Sequence, residues 1–170
     1  MMKKCLSVLL LICLLVPFFS AHAATTNLAA IRINEFMASN GDTIEDKNGE
    51  DSDWIELYNT SDKDVNLKGL CLSDGKKNLE KYVFGDVTIP AHGFLVVFAT
   101  GTEEVVKKEI HVGFKLSASG EKVVLSYQGV ILDIISFDEQ QKDISMARVD
   151  EKNWKYTSLP TPGAENAFED

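Results

Sequence analysis

The sequence is poor in cysteine. It contains three cysteines, of which Cys5 and Cys13 lie in the first residues of the chain. Only Cys71 follows them, so the rest of the chain cannot form an intramolecular disulfide. Cys71 stands between two leucines. We therefore expect its side chain to be a small apolar group of the core rather than an intermolecular bridge.

The sequence also lacks an apolar run long enough to span a bilayer as a helix. The longest run, Leu6 to Phe19, has about 14 residues, whereas a spanning helix needs about 20. It follows Lys3 and Lys4 and precedes Ala21-His22-Ala23, a pattern typical of a cleaved secretory signal peptide. We expect residues 1–23 to be removed, no transmembrane anchor, and a product that is secreted or periplasmic.

Positive charge is scarce. The chain has 17 lysines and arginines against 26 acidic residues, and its formal net charge is −9. Nucleic-acid binding requires a dense basic surface, so this charge balance argues against nucleic acid and we expect no nucleic-acid partner. After removal of the signal peptide the length is that of one ordinary domain, which can bury a core without disulfides or bound metals. We expect the protein to be monomeric.

Helical periodicity is almost absent, and only residues 103–110 could form one or two helical turns. Short strands separated by turn residues predict an all-β sandwich or barrel. The clearest element is a hairpin of residues 123–127 and 130–137, in which Gly129 supplies the positive φ of a tight turn. Further strands are predicted at residues 31–38, 53–59, 65–72, 82–84, 87–89 and 94–99.

The most informative segment is DWIELYN, residues 53–59. Its alternation puts Ile55 and Leu57 on one side of a strand and Trp54, Glu56 and Tyr58 on the other. If Trp54 and Tyr58 were exposed, they could stack on a sugar ring. The preferred interpretation is that a second β-sheet packs over them.

Several segments, in this order, resemble the bacterial form of the lamin tail domain. They are INEFMASN (33–40), DWIELYN (53–59), LCLSD (70–74), IPAHGFLVVFATG (89–101), FKLSASGEKVVL (114–125) and PTPGAEN (160–166). The resemblance implies an immunoglobulin-like β-sandwich over residues 31–166, preceded by a linker (24–30) and followed by a short tail (167–170). It also implies an exported bacterial protein, since such domains occur alone or beside secreted hydrolases.

The family is best known from nuclear lamins, where the domain binds proteins and nucleic acid. This chain departs from that pattern, because it has an export signal and neither a coiled-coil rod nor a basic nuclear-targeting run. The nuclear roles are therefore not carried over.

Two carboxylates, Glu35 and Glu56, lie inside predicted strands with apolar neighbours, where acidic residues are unusual. One hypothesis is an acid/base pair of the glycosidase kind. The preferred one is a structural ion pair, for which arginine is the natural partner because its planar fork matches a carboxylate. Since Arg148 ends the predicted strand SMAR, we predict that it pairs with Glu35 or Glu56.

The loop EDKNGEDSD, residues 45–53, is rich in the oxygen donors that calcium prefers. Asp46, Asn48 and Asp51 are the candidate calcium ligands. The loop does not match the twelve-residue calcium loop that joins two helices, when that loop is counted from Asp46. Glycine stands at the fourth place, as Gly49, rather than at the sixth, and the twelfth place is Leu57 instead of glutamate. A non-standard calcium site and a solvated loop both remain open, and no metal ligand or cofactor is assigned.

The sequence predicts no catalytic residue. His92 and His111 lie near no nucleophile motif and do not have metal-ligand spacing. We therefore expect a non-catalytic exported module that recognises a protein or a glycan at the cell envelope or outside the cell. The alternatives are a calcium-stabilised adhesion module, an accessory domain acting with a secreted hydrolase, and an enzyme of an unfamiliar kind.

Overall fold

The computed structural model describes residues 27–170. The predicted signal peptide, with Cys5 and Cys13, lies outside these residues. Across residues 27–170, no helix has the length and apolar character needed to cross a membrane.

The described chain is built from thirteen strands. They are β1 (Ile31–Met37), β2 (Trp54–Asn59), β3 (Val65–Asn66), β4 (Leu70–Ser73), β5 (Tyr82–Val83), β6 (Thr88–Ile89), β7 (Phe94–Phe98), β8 (Glu104–Val106), β9 (Glu109–His111), β10 (Glu121–Tyr127), β11 (Val130–Phe137), β12 (Ser145–Arg148) and β13 (Trp154–Thr157). A seven-stranded sheet has the order β13-β12-β1-β2-β7-β9-β8, and a four-stranded sheet has the order β11-β10-β4-β5. The short strands β3 and β6 pair separately.

The two larger sheets pack face to face around one apolar core. Ile33, Phe36 and Leu57 come from the large sheet, and Leu72 and Leu125 come from the small one. All five side chains are fully buried. Alternate residues of each strand point inward, as the period of a half-buried strand requires. The prediction of an all-β, immunoglobulin-like β-sandwich is confirmed.

The predicted hairpin of β10 and β11 is also confirmed. Its two connecting residues, Gln128 and Gly129, have φ values of 48° and 76°. Positive φ at both central residues matches the twist of the paired strands, so this turn sets the register in which Tyr127 faces Val130.

The predicted helical turns at residues 103–110 are wrong. This segment is a small hairpin, in which β8 pairs with β9, and β9 continues the large sheet alongside β7. The turn residues Lys107 and Lys108 have φ values of 48° and 76°, which a helix excludes. The run is too short and too charged for its periodicity to separate a helix from an edge hairpin.

Cys71 is free and 3% exposed, as the sequence predicts. Burial raises the pKa of its thiol, and the charge of Glu80 acts in the same direction. A protonated, buried thiol is a weak nucleophile, so this side chain serves packing.

A β-bulge in β1 is joined to the opposite sheet by an ion pair. The register with β2 shifts between Ile33 and Glu35. The backbone N–H of Ile33 donates to the Asp133 carboxylate over 2.9 Å, and the Ile33 carbonyl accepts from Arg148 Nε over 2.7 Å. Arg148 Nη2 lies 2.6 Å from the same Asp133 oxygen. Asp133 belongs to β11, so this cluster ties the two sheets together.

The predicted pairing of Arg148 with Glu35 or Glu56 is therefore wrong. In the register of β1 and β12, Glu35 lies opposite Ala147. Successive side chains of a strand point to opposite faces, so Arg148 projects away from the face that carries Glu35. The sequence did contain a signal for the true partner, because Asp133 interrupts an otherwise apolar strand.

We expect Asp133→Ala to lower the free energy of unfolding by about 2–4 kcal/mol, because it leaves a mostly buried guanidinium and a backbone N–H without their acceptor. The two side chains of the pair are 11% and 13% exposed. Urea unfolding measures the loss. The control is Asp62→Ala, which removes an exposed pair with His92 and should change stability little. Equal losses in both variants would contradict the role of the Asp133 pair.

Candidate functional site

Glu35 and Glu56 lie side by side on the face of the large sheet that points away from the core. They are directly opposite each other in the register of β1 and β2. Both are fully buried. Their neighbours Phe36 and Ile55 point to the core, so the alternation of the strands fixes the two carboxylates on the outer face.

Residues 158–170, which we name the C-terminal strap, cover this carboxylate pair. Thr161 donates to Glu35 through its backbone N–H over 3.0 Å and through its hydroxyl over 2.9 Å. The backbone N–H of Gly163 donates to Glu56. Pro160 and Pro162 have no N–H groups, so the first two donors of the strap after Pro160 both go to the buried carboxylates.

Asparagine side chains complete the attachment of the strap. Asn34 Nδ2 donates to Glu56 over 2.8 Å and to Asn166 Oδ1 over 2.9 Å. Asn166 Nδ2 in turn donates to the Arg148 carbonyl over 2.8 Å. These bonds fix the strap to β1, β2 and β12 without adding a strand to the sheet.

Burial raises the pKa of Glu56 from 4.5 to about 7, and the nearby Glu35 charge acts in the same direction. The hydrogen bonds from Gly163 and Asn34 oppose this shift but do not cancel it. Glu56 is therefore poised to hold or release a proton near neutral pH.

Both carboxylates are accordingly held by hydrogen bonds from other groups and not by an ion pair. Within residues 27–170, neither Glu35 nor Glu56 has a lysine or arginine partner within 4.0 Å. The Ser145 hydroxyl donates to Glu35, and the strap supplies the other donors. Acid/base work on a sugar requires contact with the substrate, which the strap blocks in this conformation.

Beside the pair, the strap and the sheet enclose a groove with a volume of about 220 Å³. Tyr58 of β2 and Phe94 of β7 stack in it, with ring centroids 4.8 Å apart and an interplanar angle of 26°. Both rings are half-buried. We name this the aromatic groove; its lining residues are Asn34, Tyr58, Phe94, Arg148, Val149, Glu165, Asn166 and Phe168.

Trp54 and Tyr58 do not form an exposed sugar platform, and in residues 27–170 no second sheet packs over them. Trp54 is fully buried in a separate cluster with Met37 and Phe98, against which Ile44 of the 38–53 loop packs. Tyr58 stacks on Phe94 instead. The alternation in the sequence gives the face of each side chain, but the cross-strand partner depends on a register that the sequence does not display.

The acidic loop is organised around Asp46, which is 5% exposed. One of its carboxylate oxygens accepts from the N–H groups of Asn48 and Glu50, and the other accepts from the Ser52 hydroxyl. Burial alone would raise the pKa of Asp46, but these hydrogen bonds together lower it. In the described part of the chain, no three His, Cys, Asp or Glu side chains are arranged to hold a metal ion.

We expect the difference in stability between the wild type and Glu56→Gln to depend on pH. The pKa of Glu56 is raised from 4.5 to about 7 on folding. Its contribution to the free energy of unfolding is therefore largest below pH 4.5 and is lost as pH rises through 7. Glutamine mimics the protonated acid, so the variant should gain on the wild type by about 3 kcal/mol at most across this range.

Urea unfolding at several pH values measures this difference, and subtracting the two proteins removes the titration of all other groups. A parallel pH dependence of the two proteins would contradict the raised pKa of Glu56.

We expect calcium to leave the melting temperature unchanged, because Asp46 already accepts hydrogen bonds from its own loop. A site with a Kd of about 1 mM would add about 1.4 kcal/mol at about 10 mM calcium. Scanning calorimetry with magnesium as the control would detect such a gain. The opposite result would be a melting temperature that rises with calcium but not with magnesium, and that no longer rises in Asp51→Asn. It would support Asp46, Asn48 and Asp51 as calcium ligands.

A family model described as the Lamin Tail Domain matches residues 24–139, which include β1 to β11. No curated protein matches the chain. The match ends before β12, β13 and the C-terminal strap, although β12 and β13 extend the same large sheet. The extension of the domain to residue 166 thus stays a prediction. Because the family model matches more than half of the chain, the chain belongs to the lamin tail domain family.

Proposed function

We propose that the protein is an exported, non-catalytic binding module that recognises a protein or a glycan at the cell envelope or outside the cell. Membership of the lamin tail domain family is compatible with a binding role. The pattern of residues 1–23 supports export. The ligand contacts are assigned to the aromatic groove, and the module acts as a monomer.

The stacked pair of Tyr58 and Phe94 carries the proposal. Half-buried aromatic rings supply a large apolar contact area with little conformational entropy to lose, and they stack on sugar rings or on apolar side chains. Polar groups surround the pair in the groove, since Asn34, Glu165 and Asn166 line it. A few polar groups around an apolar platform give orientation and specificity.

A binding role also accounts for the carboxylate pair. Glu35 and Glu56 hold the strap, and the strap contributes Asn166 and Phe168 to the groove. The two carboxylates thereby shape the binding surface without needing contact with a substrate.

The test compares the immobilised wild type with a Tyr58→Ala, Phe94→Ala variant in binding to envelope extract and to arrayed glycans. We expect the variant to bind the retained ligand at least about tenfold more weakly, as for aromatic hot spots. Surface plasmon resonance with the identified ligand measures the change.

Tyr156→Ala is the matched control, because Tyr156 is an exposed aromatic residue outside the aromatic groove, 38% exposed on β13. It should keep wild-type affinity. Turnover of a retained glycan by the purified protein would contradict the non-catalytic role, and full affinity of the double variant would contradict the groove.

A further inference from the structure

A second surface, on the small sheet, gathers positive charge in this acidic protein. A depression of about 600 Å³ lies between the loop of residues 74–81 and the start of β10. Lys76, Lys77, Lys81 and Lys122 line it. We name it the lysine depression. Four lysines in one place are notable in a chain with a net charge of −9.

The loop that carries these lysines is fixed by buried hydroxyl groups. Ser73 Oγ lies 2.8 Å from the Gly75 carbonyl and 2.6 Å from the Asn78 carbonyl. Ser126 Oγ donates to the Leu79 carbonyl over 3.0 Å. Ser73 and Ser126 are both fully buried on the sheet. The two buried hydroxyl groups can each donate one hydrogen bond to a carbonyl of the loop, and this attachment reduces the entropy lost when the side chains of the loop bind a ligand.

Each acidic group of the depression already has one partner within the protein. Asp74 pairs with Lys81 at 2.5 Å, and Glu121 accepts from the Ser117 N–H over 2.7 Å. Within residues 27–170, Lys76, Lys77 and Lys122 have no carboxylate within 4.0 Å. The depression therefore presents three unpaired ammonium groups to a ligand.

We propose that the lysine depression binds the acidic sugars of an anionic polysaccharide. The ammonium groups of Lys76, Lys77 and Lys122 bind the oxyanion of the sugar. The free acceptor positions of Asp74 and Glu121 accept hydrogen bonds from its hydroxyl groups. The volume of the depression, about 600 Å³, lies within the range of small-ligand sites.

Nucleic acid does not fit this surface. None of the residues that line the depression is aromatic, so bases have no stacking platform.

Isothermal titration calorimetry tests the site with oligomers of a hexuronic acid as the probe. A neutral glucose oligomer and inorganic phosphate are the comparison ligands. We expect the hexuronic acid oligomer to bind, and the Lys76→Gln, Lys77→Gln, Lys122→Gln variant to bind it at least about tenfold more weakly. The neutral oligomer should not bind.

The control variant is Lys68→Gln, Lys107→Gln, Lys108→Gln, which removes three exposed lysines from elsewhere on the surface. The control variant should keep wild-type affinity for the uronate oligomer. An equal loss of affinity in both triple variants would show that only the overall charge matters, and it would overturn the site. Absence of uronate binding, or equal binding of phosphate alone, would overturn the assignment to polysaccharide.

This inference goes beyond the proposed function, because the lysine depression and the aromatic groove share no residue. The Tyr58→Ala, Phe94→Ala variant should bind the uronate oligomer as tightly as the wild type. The proposals for the two sites can therefore be refuted independently of each other.

Discussion

The bulge in β1 is the constraint on which the sandwich and its outer face both depend. A bulge frees backbone groups from the ladder, and a buried polar group without a partner is costly. Asp133 and Arg148 supply the missing partners of Ile33 from the opposite sheet and from a neighbouring strand. The local irregularity of one strand is thereby converted into a connection between the two layers.

The bulge also decides what the outer face requires. After it, Glu35 lies opposite Glu56, and two buried carboxylates side by side need hydrogen-bond donors. Arg148 points to the other face, so the donors come from backbone N–H groups and hydroxyls. The strap meets this need because its prolines remove competing N–H groups and leave Thr161 and Gly163 to donate. A short irregular segment can therefore close a sheet face that would otherwise need another layer.

The sequence predicts what depends on local periodicity and misses what depends on register. The alternation around Ile55 and Leu57 and the turn at Gly129 are local, and both predictions are confirmed. Glu35 and Glu56 are identified as unusual from their apolar neighbours alone. Their partners could not be found in this way, because the contacts with Thr161 and Gly163 span more than a hundred residues. The helical prediction for residues 103–110 failed because a short charged hairpin has no distinctive period.

The proton of Glu56 and the shape of the aromatic groove are physically connected. Asn34 donates to Glu56 and to Asn166, and Asn34 and Asn166 both line the groove. A change in the ionisation of Glu56 alters the hydrogen bonds that hold this wall of the groove. By linkage, a ligand that favours one arrangement of the wall must shift the pKa of Glu56 in the corresponding direction. The buried carboxyl group with the raised pKa thus belongs to the same structural unit as the aromatic groove, and the strap is the element that joins them.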